Sequence, residues 1–340
     1  MMKLGNFAAG AFALTVALTG TATAQEYSWR IQSLFPSGDP LYIHFAGCVD
    51  DIQTASGGRL KIDVLPAGAA VGAGGTLDAI RAGVLDGHFS YAPIWTGLEP
   101  ALAILGDLPA SHSRAETLVD FYYNGEGLAL LQEAYGRFNA HTIGILASGV
   151  EALASRKPLA TIDDMSGLKV RVPTGMASDL FAKLGAAPVS LPVSEAFGAL
   201  EKGIVDAADI GTLSYNRAIG VYQFAKHTLY PSFHSNIVLD FTVNQRRWQE
   251  LPDDLKRIAG VSMQACAARY AGHTARADRK VIEDAGEIGL TIHTYSPEDE
   301  AKLREAAVEV WNEWAGKGDL SKRALDAQVS YLREAGILAD

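Results

Sequence analysis

The chain lacks the patterns that usually announce catalysis. Its 340 residues contain no GxSxG elbow, no HExxH pair and no GxxxxGK[ST] phosphate loop. Cysteine is scarce, with Cys48 and Cys266 alone. So far apart in sequence, they do not have the spacing of a zinc site. In an oxidising compartment they would close one long-range disulfide; otherwise they are two buried thiols. Positive charge is in deficit, with 29 Lys and Arg against 39 Asp and Glu, a formal net charge of −10. That balance argues against nucleic acid or an anionic membrane as the main partner. It does not exclude an anionic ligand, because one local cation can oppose the overall sign. No apolar run reaches the ~20 residues that a spanning helix needs. The eight histidines are dispersed. His227 and His234, on either side of Pro231, make a weak metal pair.

The N-terminus reads as an export signal. Lys3 gives a positive start, residues 7–18 form a short apolar run, and Ala22-Thr23-Ala24 supplies small residues before Gln25. Residues 1–24 are therefore expected to be removed, leaving a periplasmic protein. No cysteine stands near the cut, so lipid attachment has no support.

From Tyr27 onward, strand-like and helix-like segments alternate. Strands are expected over 27–33 (YSWRIQS), 60–65 (LKIDVL) and 86–91, with helices over 41–55 and 76–82 between them. The pattern restarts with strands over 168–172, 188–191 and 205–210 and helices over 175–184 and 193–202. A strand-like stretch, 236–244 (NIVLDFTVN), precedes a mostly helical tail. Within that tail, Pro252-Asp253-Asp254 opens a helix that would run to about Ala285, long enough to reach across two lobes. Alternation of this kind implies mostly parallel sheets covered by helices.

Two segments echo each other. Residues 79–89 read AIRAGVLDGHF and residues 199–209 read ALEKGIVDAAD. Gly83 and Gly203 stand where each helix should end, and Asp86 and Asp206 open the next strand. Either two related lobes share one helix–turn–strand unit, or two ordinary turns resemble each other by chance. Ligands of open α/β sheets gather beyond the carboxyl ends of strands. Here those ends are Ser90-Tyr91 and Asp209-Ile210-Gly211. The glycine-rich stretch 66–76 (PAGAAVGAGGT) has no lysine and no full dinucleotide spacing, so it reads as a close-packed loop beside the cleft.

Several blocks together resemble the substrate-binding subunits of tripartite ATP-independent periplasmic (TRAP) transporters, the DctP-like family. They are GLKVRVP at 167–173, LGAAPV at 184–189, Ser194-Glu195, ALEKGIVDA at 199–207, SGGRL at 56–60, and ELPDDL at 250–255. The resemblance implies a two-lobe periplasmic-binding-protein fold of type II-like α/β architecture, with mixed, mostly parallel sheets and a long lobe-spanning helix. Lobe I would take residues 25–147 and about 236–275; lobe II and the C-terminal helices would take 148–235 and about 276–340. It also implies an organic carboxylate as ligand, a sodium-driven TRAP membrane permease as partner, and a monomer or homodimer rather than an enzyme.

Arg171 is the position the resemblance assigns as carboxylate clamp. The residues agree: LKVRV puts Arg171 opposite the apolar face, at a strand end fixed by Pro173, and guanidinium forks match carboxylates. The alternative is a solvated surface arginine. Sugar-acid receptors of the family carry an arginine and an asparagine where this chain has Val150 and Ile210, and an aromatic often stands where it has Val193, so a monocarboxylate with an apolar or aromatic body is expected, such as a 2-oxo, 2-hydroxy or aromatic acid. A C4-dicarboxylate or sugar-acid receptor, or a sensor-linked binding protein, is the alternative. Some relatives hold sodium or calcium against the ligand, for which Asp209 and Glu151 are the candidate ligands; Asp209 could instead cap a helix near Thr212. As a carboxylate pair, the same two residues could serve a secreted hydrolase. Tyr91, Trp95 and Phe35 flank the expected cleft, where aromatics are either core or pocket.

Overall fold

The computed structural model describes residue 1, residues 26–233 and residues 236–338. The export signal and His234 lie outside the described residues. Among the described residues, eleven strands form two sheets. The first sheet has the order β2-β1-β3-β10-β4, built from β1 (Tyr27–Ser33), β2 (Leu60–Leu65), β3 (Gly87–Tyr91), β4 (Ala140–Ala147) and β10 (Val238–Asn244). The second has the order β11-β9-β5-β8-β6-β7, built from β5 (Glu151–Ser155), β6 (Lys169–Val172), β7 (Ala187–Ser190), β8 (Ala207–Thr212), β9 (His227–Leu229) and β11 (Thr291–His293).

Burial follows the sequence pattern where a strand has one wet face. Edge strand β2 alternates buried Leu60 and Ile62 with exposed Lys61 and Asp63. Central β3 is buried throughout. Among the described residues, pairing is parallel for β1 with β2 and β3, for β6 with β7 and β8, and for β9 with β11. Every antiparallel pair involves β10 or β5. These are the strands next to the points where the chain crosses between sheets, and a strand returning from the other lobe must run the opposite way.

The echo is a matched pair of turns. Gly83 and Gly203 adopt φ of 72° and 68°, the left-handed cap that glycine tolerates. After each, the aspartate joins the neighbouring parallel strand. Asp86 Oδ2 accepts from Arg30 N at 2.8 Å, and Asp206 Oδ2 accepts from Lys169 N at 3.2 Å. In return Asp86 N donates to Arg30 O at 2.9 Å and Asp206 N to Lys169 O at 2.7 Å. The two turns therefore share one bonding pattern.

The helix Asp253–Asp284 has 32 residues, a length of about 48 Å at 1.5 Å per residue. Leu255, Met263 and Tyr270 along it are buried among the first lobe's Phe45 and Phe241. Near its far end, Val281 packs with Leu200 and Val205 of the second lobe. Cys48, on helix Pro40–Ala55, is joined to Cys266 on the long helix as a disulfide, with Cα atoms 5.7 Å apart. That settles the choice between bridge and free thiols.

The sequence boundaries grouped the C-terminal helices with the second lobe. Helix Asp319–Glu334 instead lies on the first: Gln328 Nε2 donates to Ile104 O at 2.7 Å, and Arg323 pairs through two bonds with Glu133. Helix Pro297–Ala315 bridges both lobes, with Trp311 Nε1 donating to Pro109 O and Trp314 Nε1 to Asp179 Oδ2. Among the described residues, no helix is long and apolar enough to cross a membrane.

Candidate functional site

A cavity of about 610 Å³ lies between the lobes. Its walls come from the carboxyl ends of parallel strands and from the starts of β5 and β10, which run the other way and so begin at the same edge. Arg171, Tyr91, Phe35, Glu151, Val193, Asp209 and Ile210 all line it. Trp95 and Val150 do not. Trp95 stands behind the wall: its Nε1 donates to Gly74 O at 3.1 Å and its ring stacks on His88. It braces the glycine-rich loop, whose Ala67 and Ala73 reach the cavity. Gln32 pins the same loop, accepting from Ala70 N and Val71 N and donating to Val71 O. Val150 precedes the lining residue Glu151 without joining it.

Arg171 is buried, with 6% of its surface exposed, so it is no solvated surface arginine. On either side in register stand Val189 of β7 and Ala208 of β8, small enough to leave the long side chain room. Nε donates to Leu191 O at 2.9 Å, and Nη1 donates to Asp209 O. Of the five N–H donors that guanidinium carries, these two bonds fix its direction. Burial pulls the guanidinium below its ordinary pKa, and the charges of Asp209 and Glu151 oppose that pull.

β8 owes its several lining residues to an irregularity. Leu153 of β5 faces Asp209 and Ala152 faces Gly211, so Ile210 is the extra residue of a bulge. A regular strand would turn alternate residues away; the bulge lets Asp209, Ile210, Gly211 and Thr212 all reach the cavity. Asp209 does not cap the next helix. That cap is Thr212, whose Oγ1 accepts from Tyr215 N at 3.2 Å.

Two tyrosines carry acid-backed hydroxyls. Tyr91 donates to Asp107 Oδ2 at 2.8 Å; burial first, and the Asp107 charge second, hold its phenol well above the usual range. Tyr215, which the sequence reading missed, lines the cavity from the second lobe and donates to Asp39 Oδ2 of the first lobe at 2.7 Å. Asp39 is the N-cap of helix Pro40–Ala55, its other oxygen accepting from Leu41 N. The only sequence signal for Tyr215 was its place one turn past a strand end. Tyr270, on the lobe-spanning helix, was also missed and also lines the cavity. His227 pairs with His293: Nδ1 and Nε2 are 3.1 Å apart.

Glu151 and Asp209, both buried, put two carboxyl groups beside one guanidinium. Hard cations take oxygen donors of this kind, and an added cation would reduce the excess of negative charge once an anion entered. The two residues therefore fit sodium or calcium chemically.

The comparisons agree with this geometry. The family model described as bacterial extracellular solute-binding protein, family 7 (DctP), matches residues 32–317. A monocarboxylate 2-oxoacid-binding periplasmic protein of Nostoc sp. is 28% identical over 232 residues, covering 68% of this chain. The match spans 63% of that relative, less than two thirds of its length. A TRAP periplasmic solute-binding protein from Rhodobacter sphaeroides, solved in an apo open form, is 32% identical with a TM-score of 0.78, covering 92% of this chain and 100% of that one. Another, from Pseudoalteromonas atlantica with bound sodium and pyruvate, is 25% identical with a TM-score of 0.81, covering 92% and 95%. The chain belongs to the DctP family of bacterial extracellular solute-binding proteins, whose members serve TRAP transporters.

Proposed function

We propose that this protein is the extracytoplasmic receptor of a TRAP transporter for an organic monocarboxylate, a 2-oxo, 2-hydroxy or aromatic acid. The carrying observation is a buried guanidinium on the wall of an interlobe cavity that is otherwise mostly apolar. Arg171 takes the carboxylate. Asp209 and Glu151 hold a sodium or calcium ion that bridges protein and ligand. In the periplasm the lobes close over the acid, and the closed form passes it to a sodium-driven membrane permease. The Nostoc relative's 2-oxoacid specificity and the sodium and pyruvate in the Pseudoalteromonas protein support this reading. A second acidic group would sit against apolar wall, where an unmatched charge is costly; this weighs against dicarboxylates and sugar acids.

The test is a thermal-shift screen of organic acids with and without sodium and calcium. Binding at ~100-fold excess over Kd adds about 2.7 kcal/mol of stability. Stabilisation by monocarboxylates and not by C4-dicarboxylates or sialic acid is expected, with the acid recovered unchanged. Turnover of the bound compound would instead support a carboxylate-pair hydrolase.

A further inference from the structure

Tyr215 and Asp39 already meet across the cleft at 2.7 Å. Beside that contact lies the cavity of about 610 Å³. We infer that the receptor selects carboxylates with a bulky apolar body, on the order of ten or more non-hydrogen atoms, over acids of pyruvate's size. The inference rests on the reading above that Arg171 holds a carboxylate, and it adds what the rest of the ligand must be.

Volume decides it. At a generous ~30 Å³ for each of about six non-hydrogen atoms, pyruvate would occupy roughly 180 Å³. Most of the cavity would then hold water. Ordered water needs two to four polar partners, and empty apolar cavities stay dry. The wall offers few such partners: Leu34, Phe35, Leu41 and Ile94 stand on the first lobe's side, with Val193 on the second. A hydrocarbon or aromatic body satisfies these walls, and water does not. Asp209 and Glu151 are the acidic residues of the lining, and their charges act on Arg171. The ligand is therefore an amphiphile, with its acid group at Arg171 and its body toward Phe35 and Ile94. Two small residues keep the space open: Ala67 and Ala73 line the cavity and are otherwise exposed, so larger side chains there would fill it without disturbing the core.

The experiment is calorimetric titration, at fixed sodium and calcium, with pyruvate, 2-oxopentanoate, 2-oxooctanoate, phenylpyruvate, octanoate and benzoate. Each added methylene should tighten Kd about fourfold, which is about 0.8 kcal/mol. 2-Oxooctanoate is thus expected to bind at least about 100-fold more tightly than pyruvate. Ala73→Phe and Ala67→Phe, made separately so that failure of one to fold leaves the other, should each weaken the bulky acids at least tenfold more than they weaken pyruvate. Pyruvate binding as tightly as the bulky acids overturns the size selection and leaves the carboxylate receptor standing. Binding of none of the acids overturns the carboxylate reading and this inference with it.

Discussion

The Tyr215 hydroxyl donates to the Asp39 carboxylate at 2.7 Å, and the two residues belong to opposite lobes. The Tyr215 ring also lines the ligand cavity. One side chain therefore touches both the ligand space and a contact between the lobes. When the lobes part, Asp39 keeps its bond from Leu41 N, but water must replace the phenol. The closed state gains the difference, which belongs to closure and not to ligand contact.

Tyr215→Phe isolates that difference, since it keeps the ring and deletes the hydroxyl. A hydrogen bond to a charged group contributes about 1.5–3 kcal/mol, so ligand affinity should fall about tenfold or more. The loss should appear in the release rate, because contacts made after encounter act mainly on dissociation. Stopped-flow measurement of both rates checks this. A release rate equal to that of the wild type would mean closure does not depend on the bond.

Arg171 should be the costliest single residue for binding. Arg171→Ala removes the cation and leaves Leu191 O and Asp209 O without their donor. Breaking a buried ion pair costs about 3–5 kcal/mol, so a loss of more than about 100-fold is expected. Arg171→Lys keeps a charge but not the planar fork, and should recover only part of the affinity. Titration calorimetry, with circular dichroism to verify folding, measures both; wild-type affinity in the alanine variant would remove the clamp.

Legibility differed by the kind of signal. Alternation in LKVRV, closed by Pro173, placed Arg171 at a strand end, because a period of two and a terminating proline are local facts; its part as clamp was implied by the family resemblance alone. The turns at Gly83 and Gly203 were legible for the same reason. The bulge at Ile210 was not: an extra residue is defined only against its partner strand, here Leu153 and Ala152. Trp95 was placed beside the cleft from its position after β3, yet its indole is spent on Gly74 O, a partner 21 residues away that no local pattern names. Tyr215 was missed because its role depends on Asp39, 176 residues distant and on the other lobe. The packing of the last helix on the first lobe likewise rests on Gln328 finding Ile104 O. Residues whose job is set within one element could be read; those whose job is set by a distant partner could not.

The Cys48–Cys266 disulfide spans 218 residues and ties the first lobe's opening helix to the lobe-spanning helix. Closing a loop of this size constrains the unfolded chain strongly, and the loss on reduction is expected at about 2–5 kcal/mol. The Cys48→Ser, Cys266→Ser double variant should lower the urea midpoint and steepen the slope, because the denatured chain without the cross-link exposes more surface. Dithiothreitol should do the same to the wild type and nothing to the variant. Equal midpoints with and without reductant would show that the bridge adds no stability.

Asp278 gives the fold a pH dependence whose sign can be stated. It lies near the far end of the lobe-spanning helix, buried, with Oδ1 accepting from Ser214 N at 2.7 Å. Burial raises its pKa above 3.8, and the bonds from Ser214 only partly offset that. A carboxyl raised on folding binds its proton more readily in the folded state. Its contribution to stability is therefore fully present below 3.8 and is lost as pH rises through the folded value. Asp278→Asn can still accept from Ser214 N but does not titrate. As pH falls from neutral toward 3.8, the wild type should gain stability relative to Asp278→Asn, because every other carboxyl titrates alike in both proteins. Paired urea denaturation at several pH values measures the difference. A gap that stays constant, or that moves in favour of the variant on acidification, would contradict a raised carboxyl at this position.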